Sequence, residues 1–102
     1  MLVGVTEIDT FVAECFWPDV HESDLEALDR RVSDALAPGC GVRYLGSILL
    51  REDEVVLCRF EGPAETVRDV ALRASVPFER ILTVGQSPWP AQPPIREGRT
   101  NA

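Results

Sequence analysis

The sequence predicts one α+β domain whose elements follow the order strand-helix-strand-strand-helix-strand. Four runs rich in β-branched and aromatic residues are separated by two stretches in which apolar residues recur at helical spacing. The chain has 102 residues, the length of a single domain, and its 45% apolar content is ordinary for a globular protein. Prolines and glycines lie where the predicted strands and helices have to end.

The first half of the domain contains one predicted strand and one predicted helix. Residues 9–17 (DTFVAECFW) are apolar and aromatic and precede a proline, so we predict a strand there. Ser23 and Glu26 have the spacing of a capping box, which predicts the start of a helix. Pro38 and Gly39 end that helix.

The second half contains two strands, a helix and a last strand. Residues 42–51 and 54–61 predict the two strands of a hairpin, joined by two polar residues. Gly62 and Pro63 open the second helix, because proline fits the first helical turn. Residues 78–84 (FERILTV) predict the fourth strand.

This order of elements predicts a ferredoxin-like sandwich, in which a four-stranded antiparallel sheet carries two helices on one face. Right-handed crossovers place the first and third strands at the centre of the sheet. We assign residues 1–85 to this domain. Residues 86–102 are rich in proline and polar residues, so we expect a flexible tail, in which Trp89 either has no role or docks on a surface.

The hairpin determines which face of the sheet each side chain is predicted to occupy. A two-residue turn places Ser47 opposite Cys58 and Leu45 opposite Phe60, all on the face under the helices. The other face is also apolar but has no second layer of helices. A second copy of the chain is the simplest cover, so we expect a homodimer with its sheets packed face to face. The hairpin residues predicted on this uncovered face are Tyr44, Gly46, Ile48, Leu50, Val55, Leu57, Arg59 and Glu61.

Four polar residues on the uncovered face form the candidate ligand-binding site. Glu14 of the first strand shares this face with Arg59 of the adjacent third strand, and Tyr44 and Glu61 lie near them. An ionised carboxylate in an apolar strand needs a partner, and a guanidinium is a good one. Two interpretations remain open: a structural ion pair between Glu14 and Arg59, or a polar cluster of all four residues in a ligand cavity.

Charge and cysteine content limit the classes of partner. The formal net charge of -7 repels phosphate backbones and anionic lipids, so we expect neither nucleic acid nor a membrane as partner. No stretch has the roughly 20 apolar residues of a membrane span. The N-terminus lacks the basic region of a signal peptide. Three cysteines without a disulfide framework fit a reducing cytoplasm.

The residues that two known functions of this fold require are absent from this sequence. Cys15 is not followed by the second cysteine of a copper-chaperone loop, and the loop after the first strand lacks the arginine of acylphosphatases. His21 is the single histidine, and we interpret it as a solvated loop residue rather than a metal ligand or a base. We therefore predict no catalytic residue and no metal-binding residue.

Several segments together resemble a family of small bacterial proteins of largely unknown function, some described as nickel-binding. The segments FVAECF, VRYLGSIL, VLCRFEGP and PAETVRDVALRASVPFERI match in order and spacing and lie within residues 11–84. The resemblance implies a ferredoxin-like domain that dimerises through its sheets, with a metal or small-ligand role. Members often carry a histidine where this chain has Val70, and a helix-ending glycine where it has Ser75. Histidine is a main ligand for nickel, and this chain lacks it at that position. We therefore expect no cofactor here.

These observations predict a small, cytoplasmic, dimeric binding or interaction domain with at most weak affinity for a metal or small ligand. The alternative is a small dimeric enzyme that holds its substrate in a pocket between sheet and helices. In that case Glu14 would be the base or orienting acid, and Tyr44 and Arg59 would contact the substrate. A cavity lined by these three residues would favour the enzyme.

Overall fold

The structure, a computed structural model, describes residues 9–85. The predicted tail of residues 86–102, with Trp89, lies outside the described residues. Neither helix between residues 9 and 85 is long and apolar enough to cross a membrane. The elements follow the predicted order and are β1 (Asp9–Phe16), α1 (Glu22–Ala35), β2 (Arg43–Leu50), β3 (Val55–Gly62), α2 (Ala64–Arg73) and β4 (Arg80–Val84).

The four strands form one sheet in the order β2-β3-β1-β4. Every neighbouring pair of strands is antiparallel. The first and third strands therefore lie at the centre, where right-handed crossovers predict them. Together with the order of elements along the chain, this topology is the ferredoxin-like sandwich that the sequence predicts.

The core lies between the sheet and both helices. α1 contributes Leu28 and Val32, and α2 contributes Val67, Val70 and Ala71. These helix residues form one hydrophobic cluster with inward-facing strand residues, so both helices cover the same face of the sheet. Alternation along the two central strands supplies the strand part of the core, which consists of Phe11, Ala13, Cys15, Val56, Cys58 and Phe60.

The pairing of β2 with β3 differs from the prediction at one point. Phe60 lies opposite Tyr44 rather than Leu45, because the register shifts between Tyr44 and Gly46. Leu45 is thus the extra residue of a β-bulge. Gly46 has a φ of 98°, in the region that favours glycine. As a result, Tyr44 lies on the helix-covered face, and its predicted place on the uncovered face is wrong.

The end of the hairpin is longer than the predicted two-residue turn. A short 3₁₀ helix covers Arg51–Asp53, and Glu54 follows in the left-handed conformation with a φ of 57°. This conformation costs a residue other than glycine some strain. The strands beyond the turn keep the predicted register there, with Ser47 opposite Cys58.

The N-cap of the first helix lies two residues before the predicted cap at Ser23. His21 is the N-cap residue and Glu22 the first residue of α1. The carboxylate of Asp24 accepts a hydrogen bond from the backbone N–H of His21 at 2.8 Å. This contact satisfies a donor that the helix itself leaves without a partner. The predicted capping box of Ser23 with Glu26 is therefore wrong. Asp24 instead binds the backbone N–H of His21, so the helix starts earlier in the chain.

The sheet face opposite the helices carries no other element of residues 9–85. We call its outward side chains the open face. Five large apolar side chains on it remain between 37% and 54% exposed: Phe16, Ile48, Leu50, Leu82 and Val84. The strand pairing places the following residues on the open face: Thr10, Val12, Glu14, Phe16, Arg43, Gly46, Ile48, Leu50, Val55, Leu57, Arg59, Glu61, Arg80, Leu82 and Val84.

Candidate functional site

The structure separates the four residues of the predicted ligand cluster. Glu14, Arg59 and Glu61 lie on the open face, because their neighbours along each strand are buried in the core. Tyr44 lies on the other face, where its ring packs against Phe60 with the ring centroids 5.1 Å apart. The sheet stands between Tyr44 and the other three residues. The predicted cluster of four is therefore not formed.

Glu14 pairs with Arg80 rather than with Arg59. On the sheet Glu14 lies directly between Leu57 and Arg80, whereas Arg59 lies opposite Val12. The Nε of Arg80 donates to Oε1 of Glu14 at 2.5 Å. The predicted ion pair of Glu14 with Arg59 within one chain is thus wrong, because the two are diagonal neighbours and the directly opposite cation is closer. Arg80 is 63% exposed, so water screens this pair and it adds little to stability.

Glu61 takes part in a second ion pair near the edge of the sheet. The Nη1 of Arg43 donates to Oε1 of Glu61 at 2.9 Å, and the Arg43 side chain is 75% exposed. The two residues lie directly opposite each other on β2 and β3. Both carboxylates of the predicted cluster therefore already have a partner, although each pair is solvated and easily exchanged.

Arg59 is the charged residue of the open face that has no ion pair with another described residue. Its Nη2 donates a hydrogen bond to the backbone carbonyl of Leu45, in the bulge, at 2.6 Å. Its Nε is buried and has no hydrogen-bond partner within residues 9–85. Gly46, directly opposite, has no side chain to cover the guanidinium. Arg59 is therefore a half-buried cation with unused donors near the centre of an apolar face.

A second polar group ties α1 to β2 under the helices. The hydroxyls of Tyr44 and Ser47 both donate to Oδ1 of Asp29, at 2.5 Å and 3.1 Å. Burial and the hydrogen bond to Asp29 raise the pKa of Tyr44 above its ordinary value. The phenol therefore stays neutral, and its contact with Asp29 holds the helix on the bulged strand.

Two thiols are fully buried in the core on the central strands, Cys15 on β1 and Cys58 on β3. A hydrogen bond with Cys58, together with burial, raises the pKa of the Cys15 thiol. Neither thiol is accessible to solvent, so neither can reach a substrate or a metal ion from outside. We interpret both residues as small apolar members of the core.

The enzyme alternative requires Glu14, Tyr44 and Arg59 to line one cavity, and the sheet keeps Tyr44 away from the other two. A cavity of about 150 Å³ opens instead at one end of the sheet. None of the four predicted site residues lines it. Its lining residues are Trp17, Asp19, Val20, Leu49, Arg51 and Glu54.

Metal-ligating side chains are scattered over the described part of the chain. Within residues 9–85 no group of three or more His, Cys, Asp or Glu side chains is close enough to hold a metal ion. His21 caps α1. Val70, at the position where the resembling family often has a histidine, is fully buried in the core.

Sequence reasoning missed two residues that determine the polar contacts, Arg80 and Asp29. Arg80 alternates with Ile81 in the last strand, which marks it as outward-facing. No short turn fixes the register of β4 against β1, so the position of Arg80 opposite Glu14 could not be derived from the sequence. Asp29 follows Leu28 on the apolar face of the first helix, and a carboxylate at that boundary is a weak signal of a polar contact.

The comparisons with known proteins bear on the fold. Neither the family models nor the curated proteins gave a match. Among solved structures, SCO4226 from Streptomyces coelicolor A3(2) superposes with a TM-score of 0.65. The two sequences are 21% identical over 76% of this chain and 98% of SCO4226. This chain therefore has the same fold as SCO4226, and at that identity the likeness shows the fold alone.

Proposed function

We propose that this protein is a small non-catalytic interaction domain that forms a homodimer through the open face. The observation that carries this proposal is the exposure of large apolar side chains on a sheet whose other face is already covered. Phe16, at 54%, is the most exposed residue of this set. Contiguous apolar surface of this kind marks sites of protein association.

The exposed side chains supply a driving force of the right size. Full burial of a large apolar side chain contributes about 1.5–3 kcal/mol. Ile48 and Leu50 remain 39% and 41% exposed, so each has about 1 kcal/mol of this contribution left. Five such side chains in each of two protomers give about 10 kcal/mol, which is comparable with the roughly 4–15 kcal/mol that association costs. Each of these residues should therefore affect whether the dimer forms.

A second copy is a better occupant of the open face than a nucleic acid or an acidic lipid surface. The chain has a formal net charge of -7, which repels polyanions. The charged residues of the open face are of both signs, and two ion pairs join them. A surface that carries both signs can match itself in a symmetric dimer.

The test compares two equivalent substitutions of exposed apolar residues in the full chain. Ile48→Glu places a carboxylate on the open face, whereas Leu72→Glu changes a residue of α2 that is 58% exposed and lies outside that face. Sedimentation velocity at micromolar concentration should show dimers for the wild type and for Leu72→Glu, and folded monomers for Ile48→Glu. A wild-type protein that sediments as a monomer would overturn the proposal.

A further inference from the structure

The open face is a regular array of side chains. Directly paired residues of neighbouring strands share a row, so the strand pairing gives four rows across β2, β3, β1 and β4. In that order of strands the rows are Leu50–Val55–Phe16, then Ile48–Leu57–Glu14–Arg80, then Gly46–Arg59–Val12–Leu82, and last Arg43–Glu61–Thr10–Val84.

One diagonal of this array is entirely apolar. It runs from corner to corner through Leu50, Leu57, Val12 and Val84. All charged residues of the open face lie to one side or the other of this line. The position of Arg59 matters most, because its half-buried charge has no carboxylate among the described residues. Covering that charge without a partner would be costly.

A two-fold axis between two facing sheets acts on this array as a reflection. An axis along the strands places Arg59 against the partner's Val12 and Glu14 against the partner's Leu57. An axis across the strands places Arg59 against the partner's Leu57 and Glu14 against the partner's Val12. Both arrangements bury Arg59 and Glu14 against apolar side chains. An axis along the other diagonal places Arg59 against the partner's Arg59, and like charges repel.

An axis along the apolar diagonal gives the opposite result for the charges. Arg59 then lies against the partner's Glu14, and Glu61 lies against the partner's Arg80. Symmetry makes each of these contacts twice. The carboxylates can serve both subunits, because their ion pairs within the chain are solvated.

The same axis also matches the apolar residues by shape. The exposed ring of Phe16 lies over the partner's Gly46, the one position of the array without a side chain. Leu57 and Val12 each meet their own copy at the centre. A large residue over a glycine and apolar residues on the axis are what a well-packed interface core requires.

We propose that two copies of this chain pack their open faces about the apolar diagonal, so that Glu14 of each subunit pairs with Arg59 of the other. This inference rests on the proposed homodimer and adds its arrangement. Strands are about 4.8 Å apart and alternate residues about 6.7 Å apart, so the axis lies roughly 35–45° from the strands. The two sheets then cross at roughly 70–90°, near the orthogonal class of sheet packing. The facing positions of Arg59 and Glu14, next to the axis, coincide to within about 3 Å, a gap that their long side chains span.

Charge reversal in the full chain tests this arrangement in trans. Glu14→Arg and Arg59→Glu each replace two attractive contacts by two repulsive ones, and each variant alone should dimerise about 100-fold more weakly than the wild type. An equimolar mixture should form heterodimers of near wild-type affinity, because both facing pairs are again of opposite charge. The double variant Glu14→Arg/Arg59→Glu should recover the homodimer for the same reason.

Controls separate this inference from the proposed dimer itself. Arg73→Glu reverses an exposed charge on α2, outside the open face, so its effect on dimerisation should be small. If either charge reversal unfolds the chain, a double-mutant cycle of Glu14→Gln and Arg59→Gln on the dissociation constant replaces it, and coupling is expected. A wild-type dimer whose reversed variants do not rescue each other, or whose neutral variants show no coupling, would overturn the diagonal arrangement alone. A monomeric wild type would overturn both proposals.

Discussion

Replacing Tyr44 by phenylalanine removes one oxygen from the contact between β2 and α1. The ring of Phe60 still has an aromatic neighbour after this change, since the two rings pack with centroids 5.1 Å apart. What is lost is the hydroxyl that donates to Asp29 at 2.5 Å. Ser47, at 3.1 Å, remains as the second donor to that carboxylate.

The expected loss follows from the charge and partial burial of this hydrogen bond. A hydrogen bond to a charged group contributes about 1.5–3 kcal/mol, and Tyr44→Phe should reduce the free energy of unfolding by an amount in the lower half of this range. That corresponds to a fall in Tm of roughly 10 °C for a domain of this size. Ser47→Ala, which removes a longer bond between the same elements, should cost about 1 kcal/mol or less.

The same contact predicts how the protein responds to alkali. Burial and the hydrogen bond to Asp29 raise the pKa of Tyr44 in the folded state. The folded state then holds its proton more tightly than the unfolded state, so this stability is complete below about pH 10, the ordinary tyrosine pKa, and falls as the pH rises above it.

The assay is direct because Tyr44 is the only tyrosine of the chain. Tyrosinate absorbance near 295 nm should stay absent past the ordinary tyrosine pKa and appear together with the loss of the far-ultraviolet circular dichroism signal. Tyr44→Phe should show no such absorbance and should unfold at a lower temperature at neutral pH. Ionisation of Tyr44 at its ordinary pKa in a protein that is still folded would refute the contact with Asp29 and the bulge that creates it.

Three further predictions concern the thiols, a helix end and metal binding. Of the three cysteines, half-buried Cys40 should react with a thiol reagent in the folded protein, while Cys15 and Cys58 should react only at the rate of unfolding. Mass spectrometry of the labelled protein counts the modified thiols. Rapid labelling of all three would contradict the buried core. Ser75, which has a φ of 57° after α2, should gain about 1 kcal/mol of stability as Ser75→Gly in urea unfolding, and a loss of stability would contradict the strain. Isothermal titration should detect no tight nickel site, and a submicromolar affinity that His21→Ala abolishes would show the reverse.

The fold could be predicted because its signals are local and mutually consistent. The strand rich in aromatic residues ahead of Pro18, the proline at the start of α2 and the alternation in β3 each indicate one element. Crossover handedness then determines the strand order. Each of these signals depends on neighbours in sequence or on a general rule of chain connection.

The site could not be predicted because it depends on register, which one residue can change. The bulge at Leu45 moves Tyr44 to the other face of the sheet. In the structure the bulge coincides with the positive φ of Gly46, which cannot be read from the sequence. A glycine inside a strand is a signal of a bulge, but it does not say which neighbour turns. The partner of Glu14 depended likewise on β4, whose pairing with β1 no turn determines. Side-chain contacts across such pairs lie beyond what alternation alone can assign.

Native mass spectrometry of the full chain, purified without added metal, determines whether the open face joins two copies of this chain. It reports the oligomeric state, bound metal and any retained ligand in one measurement. We expect a dimer at micromolar concentration with the mass of two unmodified chains, and for Ile48→Glu a monomer with the mass of one unmodified variant chain. A wild-type protein that remains a monomer across that range, or a dimer that Ile48→Glu leaves intact, would contradict the claim that the open face joins two copies of this chain.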